Sequence, residues 1–192
     1  MRLLSFATLL LIATASAAPP KEDPPELRFA AMREAEYAPL GKTTSEILGH
    51  EQTHDAITLV GALVFRINAK APERRSLTER KLAAVYAVQA EVNNGGFDQY
   101  FFNDSGDDST LALQGLKEIG SAQGVKLMQR ALNVFPGGKP PVDRVKRQAL
   151  VERVRPRAQA IWGACDHGFY TLDDIGALTL AYAKRNRAQI NL

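Results

Sequence analysis

Apolar positions recur at helical spacing along most of this chain, and no segment after residue 18 keeps up a two-residue alternation. A short amphipathic helix is predicted over 27–37, broken by Pro39-Leu40-Gly41. Thr43-x-x-Glu46 has the form of a capping box. It predicts a longer helix running to about Asn68, with Ile57, Val60, Leu63, Val64 and Ile67 inside and Ala71-Pro72 beyond its end. Ser76-x-x-Glu79 is a second capping box, opening a helix that carries Leu82, Val85, Tyr86, Gln89 and Val92 on neighbouring faces. A helix over 111–119 is stopped by Gly120. Ser121 caps the next, where Val125, Met128, Leu132 and Phe135 form one apolar face. After the loop 136–141, a segment over 143–162 contains Pro156, which predicts a kink or a split. The last helix is predicted from about Asp173, with Ile175, Leu178 and Tyr182 inside and Lys184, Arg185 and Arg187 suiting its C-terminal end. The pattern is that of an all-α, single-domain multi-helix bundle over 43–192, preceded by a proline-rich linker and short helix over 19–42.

The first eighteen residues break the pattern. Arg2 precedes an apolar run over 3–13, and Ala15-Ser16-Ala17 is an A-x-A cleavage signal, so residues 1–18 read as a signal peptide. The apolar run is shorter than the roughly 20 residues of a membrane span, so no span is expected once the leader is removed. Export, to a periplasm, is therefore expected. Cys165 is the single cysteine, which excludes a disulfide within one chain and reads as a small buried apolar residue.

With 192 residues, 45% of them hydrophobic, the chain is long enough for one real core. The formal net charge is +3, and loss of Arg2 leaves 23 Lys and Arg against 21 Asp and Glu. Near-balance of this kind gives no nucleic-acid signal, and a nucleic-acid partner is not expected.

The densest cluster of special residues is Glu91-Val92-Asn93-Asn94-Gly95-Gly96-Phe97-Asp98-Gln99-Tyr100-Phe101-Phe102-Asn103-Asp104-Ser105-Gly106. It reads as a helix end, a glycine hinge and a short aromatic helix, with Phe97 and Phe101 on one face. Gly95 is expected in the helix-ending conformation, and Gln99 on the outer face. Asp107 or Asp108 can cap the helix that follows. Glu91, Asn94, Gln99 and Asn103 set polar groups among aromatics, either as a buried network or as a contact surface. Together with Gly95, Gly96, Phe97, Tyr100 and Phe102 they form the candidate binding site.

This wording resembles the signature of the DNA-mimic-protein-nineteen-like domain family. The stretches 112–120 and 169–174 resemble its later helices, so the resemblance covers roughly residues 55–185. It implies a compact all-α domain without established catalytic residues. One type in the family is an acidic dimer that imitates the phosphate charge of DNA and sequesters a transcription factor. The charge balance and leader of this chain do not carry that activity over.

Three further patterns offer chemistry. His50-Glu51-Gln52-Thr53-His54 matches H-E-x-x-H, which on a helix would align His50 and His54 on zinc with Glu51 as general base. No strand precedes it and no third-ligand motif follows, although Glu91 or His167 could reach it in the fold. The run 103–108 has calcium-type oxygen ligands without EF-hand spacing. Arg144, Lys146, Arg147, Arg153, Arg155 and Arg157 form a basic run that reads as a solvated face or an anion-contacting patch. The leading expectation is an exported, non-catalytic binding protein without a cofactor, whose partner is another protein or a second copy of itself. The alternative is a zinc-dependent hydrolase.

Overall fold

The computed structural model describes residues 25–172 and 174–192; the expected signal peptide over 1–18, the start of the proline-rich linker over 19–24 and Asp173 lie outside them. Among the described residues there are eight α-helices and no strand. They are α1 (Pro25–Tyr37), α2 (Thr44–Leu48), α3 (Ala56–Asn68), α4 (Leu77–Phe102), α5 (Ser109–Ile119), α6 (Ala122–Leu132), α7 (Arg144–Tyr170) and α8 (Ile175–Arg185). The all-α multi-helix bundle expected from the periodicity is therefore the fold. No helix among the described residues is long and apolar enough to cross a membrane.

Both capping boxes form, at Thr43 with Glu46 and at Ser76 with Glu79, and Gly120 ends α5 in the left-handed conformation (φ 87°). Ser121 caps α6 by accepting from the Gly124 N–H. Asp108 stands at the start of α5 but makes no side-chain cap. Three expectations fail. Ile57, placed inside its helix by the spacing, is 51% exposed. The helix opened by Thr43 stops after five residues, and a new one begins at Ala56, capped by Asp55, whose Oδ1 accepts from Thr58 N–H at 2.8 Å. Nor does Pro156 split α7, which runs through it.

α4 is the central element, touching α3, α5, α7 and α8, while α6 packs on α7 and α3 on α8. The core is one cluster. Ile47, Leu63, Ile67, Val88, Val92, Phe97, Phe101, Met128 and Cys165 are fully enclosed, and Tyr37 and Leu40 join them. The C-terminal tail closes the far end: Thr44 Oγ1 donates to Ile190 O at 2.6 Å, and the buried Glu79 accepts from Asn191 N–H (2.8 Å) and from Lys70 Nζ (2.7 Å).

Candidate functional site

The site is built on the bend in α4. The helix is regular to Asn94, leaves helical geometry at Gly95 (φ −155°, ψ 18°) and Gly96 (φ 77°, ψ −177°), and resumes over 97–102. Gly96, not Gly95, takes the left-handed backbone that glycine tolerates. The restarted helix has an open N-terminal end, and α7 supplies its cap: Asp166 Oδ1 accepts from Phe97 N–H at 2.8 Å. The approach requires a glycine, because a Cβ on Gly96 would stand 2.5 Å from Asp166 Oδ2.

The opposite end of the same short helix is also held by α7. Arg147 is fully buried. Its Nε donates to Phe101 O (2.8 Å), Nη2 to Asn103 O (2.9 Å), and Nη1 to Pro141 O (3.1 Å) and Val142 O (2.9 Å). Gln148 Nε2 donates to Phe102 O at 3.0 Å. The Phe101 and Phe102 carbonyls end a helix and have no partner within it, so side chains satisfy them, whereas Asn103 O also accepts from Gly106 N–H at 3.1 Å. Arg147 is therefore not part of a solvated basic face, as its neighbours in sequence implied. Phe97, Tyr100 and Phe101 point inward. Phe101 stands 4.8 Å from Phe135 and 5.7 Å from Trp162, centroid to centroid. Burial pushes the Tyr100 hydroxyl above its ordinary range, with the Asp108 charge adding to the effect.

The polar signature residues form a network behind the bend. Glu91 Oε2 accepts from Gln99 Nε2 (2.7 Å) and Asn103 Nδ2 (2.9 Å), and Oε1 from Ser105 Oγ (2.9 Å). Gln99 is thus half-buried and bonded, which corrects its placement on an outer face. The outward remainder is Asn94 and Gly95, with Phe102 half-buried.

Two hollows open there. One, about 280 Å³, is lined by Asp98, Arg155, Gln159, Trp162, Gly163 and Asp166. The other, about 340 Å³, is lined by Gly95, Asp98, Gln99, Phe102, Asn103 and Arg155. Asp98 and Arg155 belong to both. Arg155 Nε donates to the two Asp98 oxygens at 3.1 and 2.9 Å, and its guanidinium lies 5.9 Å from the Phe102 ring centroid. Burial raises the Asp166 carboxyl above the usual carboxylate range, against the Phe97 hydrogen bond and with the Asp98 charge in support. Asp98, Gln159, Gly163 and Asp166 were not among the residues singled out in sequence, and Arg155 was singled out only as part of the basic run. Asp98 lies inside the signature and could have been; the others arrive from α7 through the fold alone.

The remaining motifs disperse. The segment 49–55 is a turn rather than a helix, so nothing aligns His50 and His54 on one helical face. Their rings meet edge to face with centroids 5.5 Å apart, Thr53 Oγ1 lies 3.0 Å from His54 Nδ1, and Lys184 Nζ donates to both Glu51 oxygens at 2.7 Å. Among the described residues no three His, Cys, Asp or Glu side chains gather as metal ligands. In the 103–108 stretch Asp104 pairs with Arg144 (2.6 Å) and Asp108 lies 3.7 Å from Arg80. Asp107 pairs with Arg147. Cys165 is buried, and burial raises its thiol.

The bend and its two-ended clamp lie within one longer stretch: the family model of the DMP19-like protein matches residues 74–186. The chain belongs to this family. The DMP19-like match opens at the turn before α4 and closes just after α8, so it contains the bend, both clamping ends of α7 and both hollows. No curated relative and no solved structure matches the chain.

Proposed function

We propose that this DMP19-like chain is an exported, non-catalytic binding protein of the periplasm, and that the paired hollows at the α4 bend are its contact surface for another protein. One observation carries the reading: the signature residues form two sets, one holding the bend and one at its surface, which meet at Gln99 and Asn103. Glu91, Phe97, Gln99, Tyr100 and Asn103 hold the bend from within. Gly95 and Phe102 line a hollow with Asp98 and Arg155, into which Gln99 and Asn103 also reach, and Asn94 is exposed next to Gly95 in the chain. A surface fixed this firmly loses little further freedom on binding. The hollows, about 280 and 340 Å³, lie at or below the lower end of the roughly 300–1,000 Å³ of small-molecule sites. They suit the side chains of a partner better than a free ligand. The leader over 1–18 supports export. The near-balanced charge supports a partner other than one deceived by DNA-like acidity.

Gly163 provides the test, because a Cβ there meets nothing within 4 Å and a larger side chain fits. A photo-crosslinking amino acid is placed at Gly163 and, as a control outside the hollows, at the exposed Lys126. Irradiation of living cells should give a discrete protein adduct from position 163 and not from 126. No adduct at 163, or the same adducts at both positions, refutes the reading.

A further inference from the structure

We propose that the hollow between the bend and α7 receives a cationic side chain, lysine or arginine, of the protein partner, with the Asp166 carboxylate as its counter-charge. The inference rests on the reading of this face as a protein-contact surface. It begins from an imbalance in how the hollow's charged groups are used. Arg155 is the cation lining the hollow, and its Nε is committed to Asp98. Asp166 spends Oδ1 on the Phe97 N–H, and among the described residues nothing donates to Oδ2. Two carboxylates against one guanidinium leave the hollow one negative charge in excess.

That excess is held in an unfavourable setting. Asp166 is half-buried, and its ionised form is disfavoured by desolvation and by Asp98. A neutral group docking here would remove the remaining water from an unpaired carboxylate, the arrangement buried charges avoid. A partner ammonium or guanidinium removes the penalty instead. The shape agrees. Gly163 adds no side chain to the mouth, and the small exposed edge of the otherwise buried Trp162 gives an apolar contact for a methylene stem. A volume of about 280 Å³ suits one long side chain.

The test titrates the protein with N-acetyl-lysine amide, N-acetyl-arginine amide and the neutral N-acetyl-norleucine amide, following the Trp162 indole and Gly163 amide signals by NMR. Asp166→Asn is the diagnostic variant, since asparagine keeps an oxygen to accept from Phe97 N–H. Unchanged amide signals elsewhere in the variant verify that the bend is intact, and a bend that is not intact moves the same comparison to Asp98→Asn. The cationic probes should bind saturably and the neutral one should not, with affinity at least tenfold weaker in Asp166→Asn. Equal binding of norleucine amide, wild-type affinity in the variant, or no saturation by any probe overturns the proposal. So does spermidine binding a hundredfold tighter than the amino-acid probes, which would make this a free-polyamine site. The crosslink separates the two readings. If the Gly163 adduct survives Asp166→Asn undiminished, the cation inference fails and the contact surface stands. If no adduct forms in the wild type, the contact surface itself fails.

Discussion

Replacing Arg147 by methionine tests the clamp on the signature helix. Methionine has similar length and fills the space, so the loss reports the hydrogen bonds together with the Asp107 ion pair. Four backbone carbonyls lose the guanidinium as a donor: Phe101, Asn103, Pro141 and Val142. Val142 is 72% exposed, and water replaces the guanidinium there and at neighbouring Pro141 with little loss. Phe101 is 0% exposed, so its carbonyl stays dry and costs about 1–3 kcal/mol unpaired. The half-buried Asn103 O keeps the Gly106 N–H at 3.1 Å and adds less than about 1 kcal/mol. Asp107 is 46% exposed and remains solvated when its partner leaves, which keeps the total below the roughly 3–5 kcal/mol of a fully buried broken pair. The expected destabilisation is about 2–4 kcal/mol, a large part of the about 5–15 kcal/mol of a typical domain. Urea unfolding followed at Trp162, the single tryptophan and 2% exposed, measures it. Arg147→Lys keeps the charge but not the planar fork, and should recover only part of the loss. A methionine variant within 0.5 kcal/mol of wild type, or full recovery by lysine, would show that the clamp does not hold the helix.

Gly96→Ala should cost about 1–2 kcal/mol for the left-handed backbone alone, and more as Asp166 is displaced, whereas Gly163→Ala should be neutral or stabilise by up to about 1 kcal/mol; paired thermal melts compare them. Asp166→Asn should raise stability at neutral pH. Its folded carboxyl titrates above the unfolded value, so the wild type gains stability from this group below the unfolded pKa and loses it as pH rises through the folded one. The variant's advantage should therefore vanish in acid, and melts from pH 3 to 8 that show no such convergence refute the assignment. The mature chain should begin near Ala18 or Pro19, and N-terminal sequencing from an envelope fraction checks it; intact Met1 recovered in cytosol would refute export.

Local signals were legible where a residue acts on its own neighbourhood. The capping boxes at Thr43 and Ser76, the stop at Gly120 and the hinge before Phe97 all depend on residues a few positions apart. The break between α2 and α3 was also written locally, in Gly49 and in Asp55 three residues before Thr58, but the apolar period on either side masked it. Pro156 removes one backbone donor, and the packing of α7 on α4 and α6 keeps the helix continuous. Arg147 and Asp166 could not be read at all. Their roles come from helix ends 46 and 69 positions away, and in sequence one sits in a basic run and the other beside a histidine.

The helix over 97–102 is too short to hold in water by itself. A chain made N-terminus first reaches Asp166 69 residues after Phe97. At about 5–20 residues per second, synthesis leaves the signature without its cap for roughly 3–14 s. During that interval the short helix lacks the α7 contacts that hold both of its ends. The bend is consequently a late marker of completeness: a partner that reads the assembled hollows can engage only chains whose α7 has arrived, and overlooks nascent or truncated ones.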